Sequence, residues 1–237
     1  MRLSAPVYQL KRKAKLLSRE ENIPLHEALN RIASQEGFGG WSLLAARASA
    51  TAPAEKIFAR LAPGDLILVG ARPGQGKTLM SLELAVEAMK SGNRGVFFTL
   101  EYTEKETLER FRSIGVERAN FDRLFEFDNS DNINADYIVK RLAAAPRGTL
   151  VVIDYLQLLD QKRENPELMH QVRTLRSFAS ERGLIFVFIS QIDRSYDAST
   201  KPCPDLEDVR LPNPLDLRLF TKTCFLNNGE VQFRAEG

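Results

Sequence analysis

The chain has 237 residues, 43% of them hydrophobic and 27% charged, with a formal net charge of +2. That is the composition of a globular protein with one sizeable core and a small appendage. The longest apolar run, Leu184 to Ile189, is far too short to span a bilayer, and no apolar segment follows the basic N-terminal residues, so no membrane span or secretory signal is expected. Two cysteines, Cys203 and Cys224, form neither a disulfide framework nor a metal cluster, so a reduced, cytoplasmic setting is the expectation.

Residues 1–47 read as a small all-α module. Leu3, Val7, Leu10, Ala14 and Leu17 recur every three or four residues, the stripe of one helix. Pro24 fits a first helical position, Leu25, Leu29 and Ile32 form a second stripe, and Gly37 ends it. Trp41, Leu43 and Leu44 suit a third short helix, with Trp41 as the anchor of the module's core. Residues 1–50 hold eight Lys/Arg against four acids, a balance of +4, while the remainder holds 25 against 27, a balance of −2. The run Lys11-Arg12-Lys13-x-Lys15 lies in the basic part and reads as the solvated face of a helix. Residues 48–56, small and proline-containing at their start, read as a linker.

From residue 57 onward, short apolar runs alternate with helical patterns. Strands are predicted at Leu66–Gly70, Val96–Leu100, Leu124–Phe127, Leu150–Ile153 and Ile185–Ser190. Helices are predicted at Leu79–Lys90, Glu104–Ser113, Ala135–Ala144 and Glu167–Glu181. Thr103 and Glu106 have the spacing of a capping box, and Asn165 with Pro166 suits an N-cap followed by a first-turn proline. Apolar strands separated by helices imply an α/β fold with a mostly parallel sheet covered on both faces. The proline-rich stretch Asp193–Pro214 reads as a long mobile loop, and Asn227-Asn228-Gly229 between two strand-like runs predicts a C-terminal β-hairpin.

The chemistry concentrates where strands end. Ala71-Arg72-Pro73-Gly74-Gln75-Gly76-Lys77-Thr78 lies between an apolar strand and a helix opening at Leu79, the arrangement of a phosphate-binding loop. Residues 71–79 would cradle a triphosphate, with Lys77 on the β- and γ-phosphates and the Thr78 hydroxyl on Mg2+. Asp154 ends an apolar strand and is the candidate second metal residue. Glu101 ends another and could accept a proton from attacking water. Gln191 ends a third and could sense the γ-phosphate. Arg194 is a candidate phosphate or DNA contact.

These motifs resemble, in order, those of the DnaB family of replicative helicases within the RecA/DnaB superfamily of P-loop ATPases. Ala-Arg-Pro-x-x-Gly-Lys-Thr, with Ala71 where most phosphate loops have Gly, is similar to that family's loop, as is the lead-in Leu61-Ala62-Pro63-Gly64-Asp65-Leu66. Phe98-Thr99-Leu100-Glu101, Ile153-Asp154-Tyr155-Leu156-Gln157-Leu158 and Ser190-Gln191-Ile192-Asp193-Arg194-Ser195 resemble its three other motifs. The resemblance spans residues 61–195 and implies a RecA-like P-loop NTPase core. It also implies ATP and Mg2+ as ligands, single-stranded DNA as polymer substrate, and a homo-oligomer with a hexamer among the candidates. Residues 1–47 do not resemble the family's larger helical domain. The family's Lys-x-Arg-Asn-Gly segment, which lends an arginine finger to a neighbour, is matched here only at Asn228-Gly229; the nearest basic residues before it are Arg218 and Lys222. The leading expectation is therefore a Mg-dependent, ATP-hydrolysing helicase or translocase core. The alternative is a nucleotide-switched module that recruits a protein partner through residues 1–47.

Overall fold

The computed structural model describes residues 3–5, 7–42, 44, 53–121, 123–160, 162, 164–197, 199, 201–211 and 213–235. The helices are α1 (Val7–Glu20), α2 (Leu25–Gln35), α3 (Pro53–Phe58), α4 (Lys77–Lys90), α5 (Glu104–Ser113), α6 (Ala135–Arg141) and α7 (Leu168–Arg182). The strands are β1 (Leu66–Ala71), β2 (Gly95–Thr99), β3 (Phe125–Asp128), β4 (Leu150–Asp154), β5 (Ile185–Gln191), β6 (Lys222–Asn227) and β7 (Glu230–Ala235). The chain divides into two compact units, Met1–Pro53 and Ala54–Gly237.

In the first unit, α1 and α2 enclose Leu10, Ala14, Ala28, Ile32, Ala33 and Leu44, and Trp41 packs against them. Pro24 caps α2 rather than opening it. Gly37 stops α2 as expected: its φ is +82°, its N–H donates to the Ser34 carbonyl, and the Phe38 N–H donates back to Ala33. This is a Schellman stop, a conformation glycine adopts without a steric penalty. Trp41, Ser42 and Leu44 are helical, whereas Leu43 and residues 48–52 of the expected linker lie outside the described residues. The rest of that linker is a correction. Residues 53–56 belong to α3, because Ala54 and Ile57 bury in the core of the second unit.

In the second unit the described strands form one sheet in the order β3-β2-β4-β5-β1-β6-β7, parallel except for β7. Alternate residues of each central strand enter different cores. Leu66, Leu68, Phe98, Ile153 and Phe188 face α6 and α7. Ile67, Val69, Phe97, Val152 and Val187 face α3, α4 and α5. Burial on both faces is why these strands are continuous apolar runs. β6 and β7 meet through Asn228 and Gly229, with φ of +48° and +80°, the two left-handed residues of a type I′ turn. The capping box at α5 is complete: Thr103 accepts from the Glu106 N–H and Glu106 from the Thr103 N–H.

Three expectations shift. Helix α6 stops at Arg141, and α7 begins at Leu168 because Asn165 is engaged elsewhere, its amide donating to the Leu159 carbonyl. The described residues of 193–211 are a packed excursion rather than a mobile loop. Ile192 bridges to Val209, Tyr196 is buried, and Asn227 donates to both the Tyr196 hydroxyl and the Pro202 carbonyl. Lys201 is paired with Asp205 and Asp208. Among the described residues no helix is long and apolar enough to cross a membrane.

Gly70 is where β1 is most crowded: an added Cβ would sit 2.7 Å from the buried Phe225 ring. Gly70→Ala should therefore destabilise the domain by about 1–3 kcal/mol through overpacking. Phe225→Leu in the same chain should recover part of that loss, with urea midpoints as the measurement. Equal stability of the alanine variant and the wild type would refute the crowding argument.

Candidate active site

In a parallel sheet every strand delivers its C-terminal end to the same edge. Ala71, Asp154 and Gln191 end β1, β4 and β5, and Glu101 stands two residues past β2, so the four predicted positions share one rim. Ala71 is still strand, fully buried and paired with Gln191 on β5 and Leu226 on β6. Its backbone needs no glycine, which explains why a methyl is tolerated there. The left-handed positions come later, at Gly74 (φ +79°) and Gly76 (φ +92°).

Gly76 caps α4, and the first intrahelical bond of that helix is from Met80 N–H to Gly76. The N–H groups of Lys77, Thr78 and Leu79 therefore have no acceptor in the helix. No acid stands in the first turn. These donors and the positive helix terminus suit a phosphate chain.

Thr78 and Asp154 meet at the centre. The Thr78 hydroxyl donates to Asp154 Oδ2 at 3.1 Å. Asp154 is fully buried, and its Oδ1 is shut from solvent without a partner. Burial pushes this carboxyl up to about 7, and the nearby Glu101 adds to the rise, while Lys77, Thr78 and Arg110 oppose it. An unpartnered carboxylate oxygen beside a threonine hydroxyl and a row of helix N–H groups fits a hard cation held together with a triphosphate. Among the described residues no three His, Cys, Asp or Glu side chains could enclose an ion. The remaining ligands would have to be phosphate oxygens and water.

Glu101 is exposed, and its N–H donates to the Thr99 hydroxyl, while Thr99 pairs with Asp154 across β2 and β4. Gln191 is half-buried opposite Ala71, and its carbonyl accepts from Arg210 N–H. Next to it the Ser190 hydroxyl is buried without a partner. Arg72 turns away from the cradle. Its guanidinium donates to the carbonyls of Arg194 and Tyr196, each at 2.7 Å, and lies over the Tyr196 ring. Only its backbone remains for phosphate. The Arg194 side chain is exposed. Gln75 accepts from Asn228 N–H at the hairpin turn. Tyr102 and Arg110 were not evident in sequence. Tyr102 faces the Thr78 hydroxyl, and the Arg110 guanidinium lies 4.0 Å from its ring centre.

Residues 55–208 match the protein-family model described as "ATPase: KaiC". The chain belongs to that KaiC-type ATPase family. Its ATPase unit has the RecA-like fold of DnaB-type helicase domains: the solved structure described as a DnaB-like replicative helicase and its interactions with primase superposes with a TM-score of 0.59 at 18% identity, over 92% of this chain and 66% of that one. Curated relatives of this KaiC-type ATPase include a "Probable plasmid replicative DNA helicase" of Chlamydia muridarum, 28% identical over 181 residues, 63% of this chain and 40% of that protein. A "Replicative DNA helicase DnaB" of Synechocystis sp. is 28% identical over 177 residues, 62% of this chain and 20% of that protein. The chain thus spans less than half the length of these relatives.

Asp154 sets a pH dependence for the nucleotide-free protein. An unfolded aspartate ionises near 3.9, whereas this one holds its proton to about 7. Between those values the folded chain binds the extra proton, so stability falls as pH rises from about 4 to 7, by up to about 4 kcal/mol. Asp154→Asn should remove this slope and be the more stable protein at pH 8. Urea midpoints at pH 5 and pH 8 measure both. Glu83, also raised to about 7 by burial, contributes a parallel slope that Glu83→Gln subtracts. An Asn variant that keeps the wild-type slope would refute the assignment.

Proposed function

We propose that this ATPase is the motor core of a DnaB-like DNA helicase or translocase, burning ATP with Mg2+ while acting on single-stranded DNA as a homo-oligomer. The observation that carries the reading is the convergence of four motifs on one rim of a RecA-like sheet, in a chain whose relatives are named replicative helicases. In this reading the loop from Ala71 to Leu79 wraps the triphosphate and Lys77 binds its β- and γ-phosphates. Thr78 and Asp154 hold Mg2+, which neutralises charge on the transferred phosphoryl group. Glu101 takes the proton from the attacking water. Gln191 hydrogen-bonds the γ-phosphate, and its carbonyl hands any movement to Arg210 and the packed excursion after β5. Arg194, exposed on that excursion, is a candidate DNA contact.

A second reading is a nucleotide-switched module that recruits a partner through its N-terminal helices. It is favoured by the first unit's surface. Arg12, Lys13, Lys15 and Arg19 of α1 are exposed and in no ion pair among the described residues; Glu21 and Glu27 hold Arg31, and Glu36 binds Ser4 while feeling the charge of Lys13. Leu16 is 49% exposed among them. That face suits an acidic surface or a phosphate backbone.

ATP turnover with and without single-stranded DNA, read beside molecular mass in ATP, separates the two. The motor reading expects turnover to rise severalfold with DNA and a ring-sized species to form. Lys77→Ala should abolish turnover, and Glu101→Gln should bind ATP normally while hydrolysis falls about 100-fold or more. DNA-independent turnover by a monomer would overturn the motor reading in favour of the second. Normal hydrolysis by Glu101→Gln would remove that residue from its role.

A further inference from the structure

A phosphoryl-transfer site needs a cation facing the charge that develops on the γ-phosphate, beyond the loop lysine. The basic residues that most closely precede the hairpin turn are committed elsewhere. Arg218 is bound by both oxygens of Asp216. Lys222 lies 3.8 Å from Asp65, at the opposite end of β1 from the phosphate loop.

Arg110 is placed differently. The capping box of Thr103 and Glu106 fixes the first turn of α5 directly behind Glu101, so the second turn, which carries Arg110, has a set position. The same box holds the Glu106 carboxylate one turn before Arg110, so the two attract through space, and no described carboxylate forms an ion pair with the arginine. Its guanidinium stacks 4.0 Å from the centre of the Tyr102 ring, whose hydroxyl faces Thr78. Its Nε is sealed from solvent with no acceptor in the protein. A buried guanidinium N–H without a partner is costly and rare, and it is expected where the acceptor arrives with a ligand. Through the Tyr102 ring the arginine is set on the side of the cleft that holds Thr78 and Asp154.

We propose that Arg110, held on the Tyr102 ring, is this site's own phosphate-facing cation, acting in cis where a ring helicase would borrow one from its neighbour. The inference rests on the ATP-site reading above. A planar guanidinium suits the task because its fork of N–H donors can span two phosphate oxygens while its face stays on the aromatic ring.

The test uses the full chain with Arg110→Met, which keeps the length and loses the charge, and Arg110→Lys, which keeps the charge. Binding of a fluorescent ATP analogue with Mg2+ should change less than about threefold in both, whereas kcat should fall about 1,000-fold in Arg110→Met and recover partly in Arg110→Lys. ADP with aluminium fluoride, which mimics the transferring phosphoryl group, should bind the wild type tightly and Arg110→Met at least tenfold more weakly, a readout independent of turnover. Tyr102→Leu should follow Arg110→Met in direction. Mixing Arg110→Met with Lys77→Ala chains should leave activity lost, because both groups must belong to one chain. Restored turnover in the mixture would place the arginine in trans and overturn the proposal. So would normal fluoride-complex binding by Arg110→Met. Failure of the wild type to bind the ATP analogue would sink the site reading and this inference together.

Discussion

The hydrogen bond between Thr78 and Asp154 is the constraint around which the ATPase unit is arranged. It places a carboxyl group at zero exposure, with one oxygen unpartnered, at the C-terminal end of the strand beside β5. An isolated buried carboxylate is unfavourable by several kcal/mol, so this group holds its proton up to about pH 7, and a cation beside it would lower that threshold. That makes the nucleotide-free site an acid-stabilised structure and the liganded site an ionic one. The parallel sheet supplies the burial. Only with helices on both faces can β4 be apolar for four residues and then end in an acid that water does not reach.

The phosphate loop is tied down on both flanks by two of its own side chains. Arg72 grips the backbone of the excursion after β5, and Gln75 grips the turn between β6 and β7. Asn227 then joins those two segments through Tyr196 and Pro202. The loop, the excursion and the hairpin thus close a hydrogen-bonded circuit. A shift of the loop by a fraction of a hydrogen-bond length must either break one of these bonds or carry a partner segment along. In the proposed reading this circuit is a route by which a nucleotide signal would leave the site, beside the one through Gln191.

What was legible in the sequence follows from local physics. Strands buried on both faces appear as unbroken apolar runs, and Asn228-Gly229 can hardly be anything but a tight turn, so the sheet and its hairpin were readable. The phosphate loop was readable because Gly74 and Gly76 need left-handed backbone while Lys77 and Thr78 need the helix start. The excursion after β5 was misread because its order is non-local: Tyr196 and Val209 are buried by partners distant in sequence, and prolines and polar residues conceal that. Asn165 was misplaced because its amide found the Leu159 carbonyl instead of a helix N-terminus. Arg110 was invisible for a different reason. On a helix with acids and bases at most positions, one more arginine reads as solvated surface, and only the ring of Tyr102 beneath it reveals otherwise.

The charge arrangement makes that arginine more than an ornament of packing. The ionisable groups acting on Asp154 are Glu101, Lys77 and Arg110. Without Arg110 the cleft would hold two carboxyl groups against one lysine, and a magnesium triphosphate would add further negative charge. The helix N-terminus offsets only about half an elementary charge. With Arg110 the side chains are balanced when both acids ionise, and the helix terminus and metal are left to meet the phosphate. In the proposed reading a cation at this position would serve two tasks through one field: it eases the ionisation of Asp154, and it would face the phosphoryl group. Because it belongs to the same chain as the loop, its placement depends on the capping box of α5 and the Tyr102 ring, and not on how copies of the chain assemble.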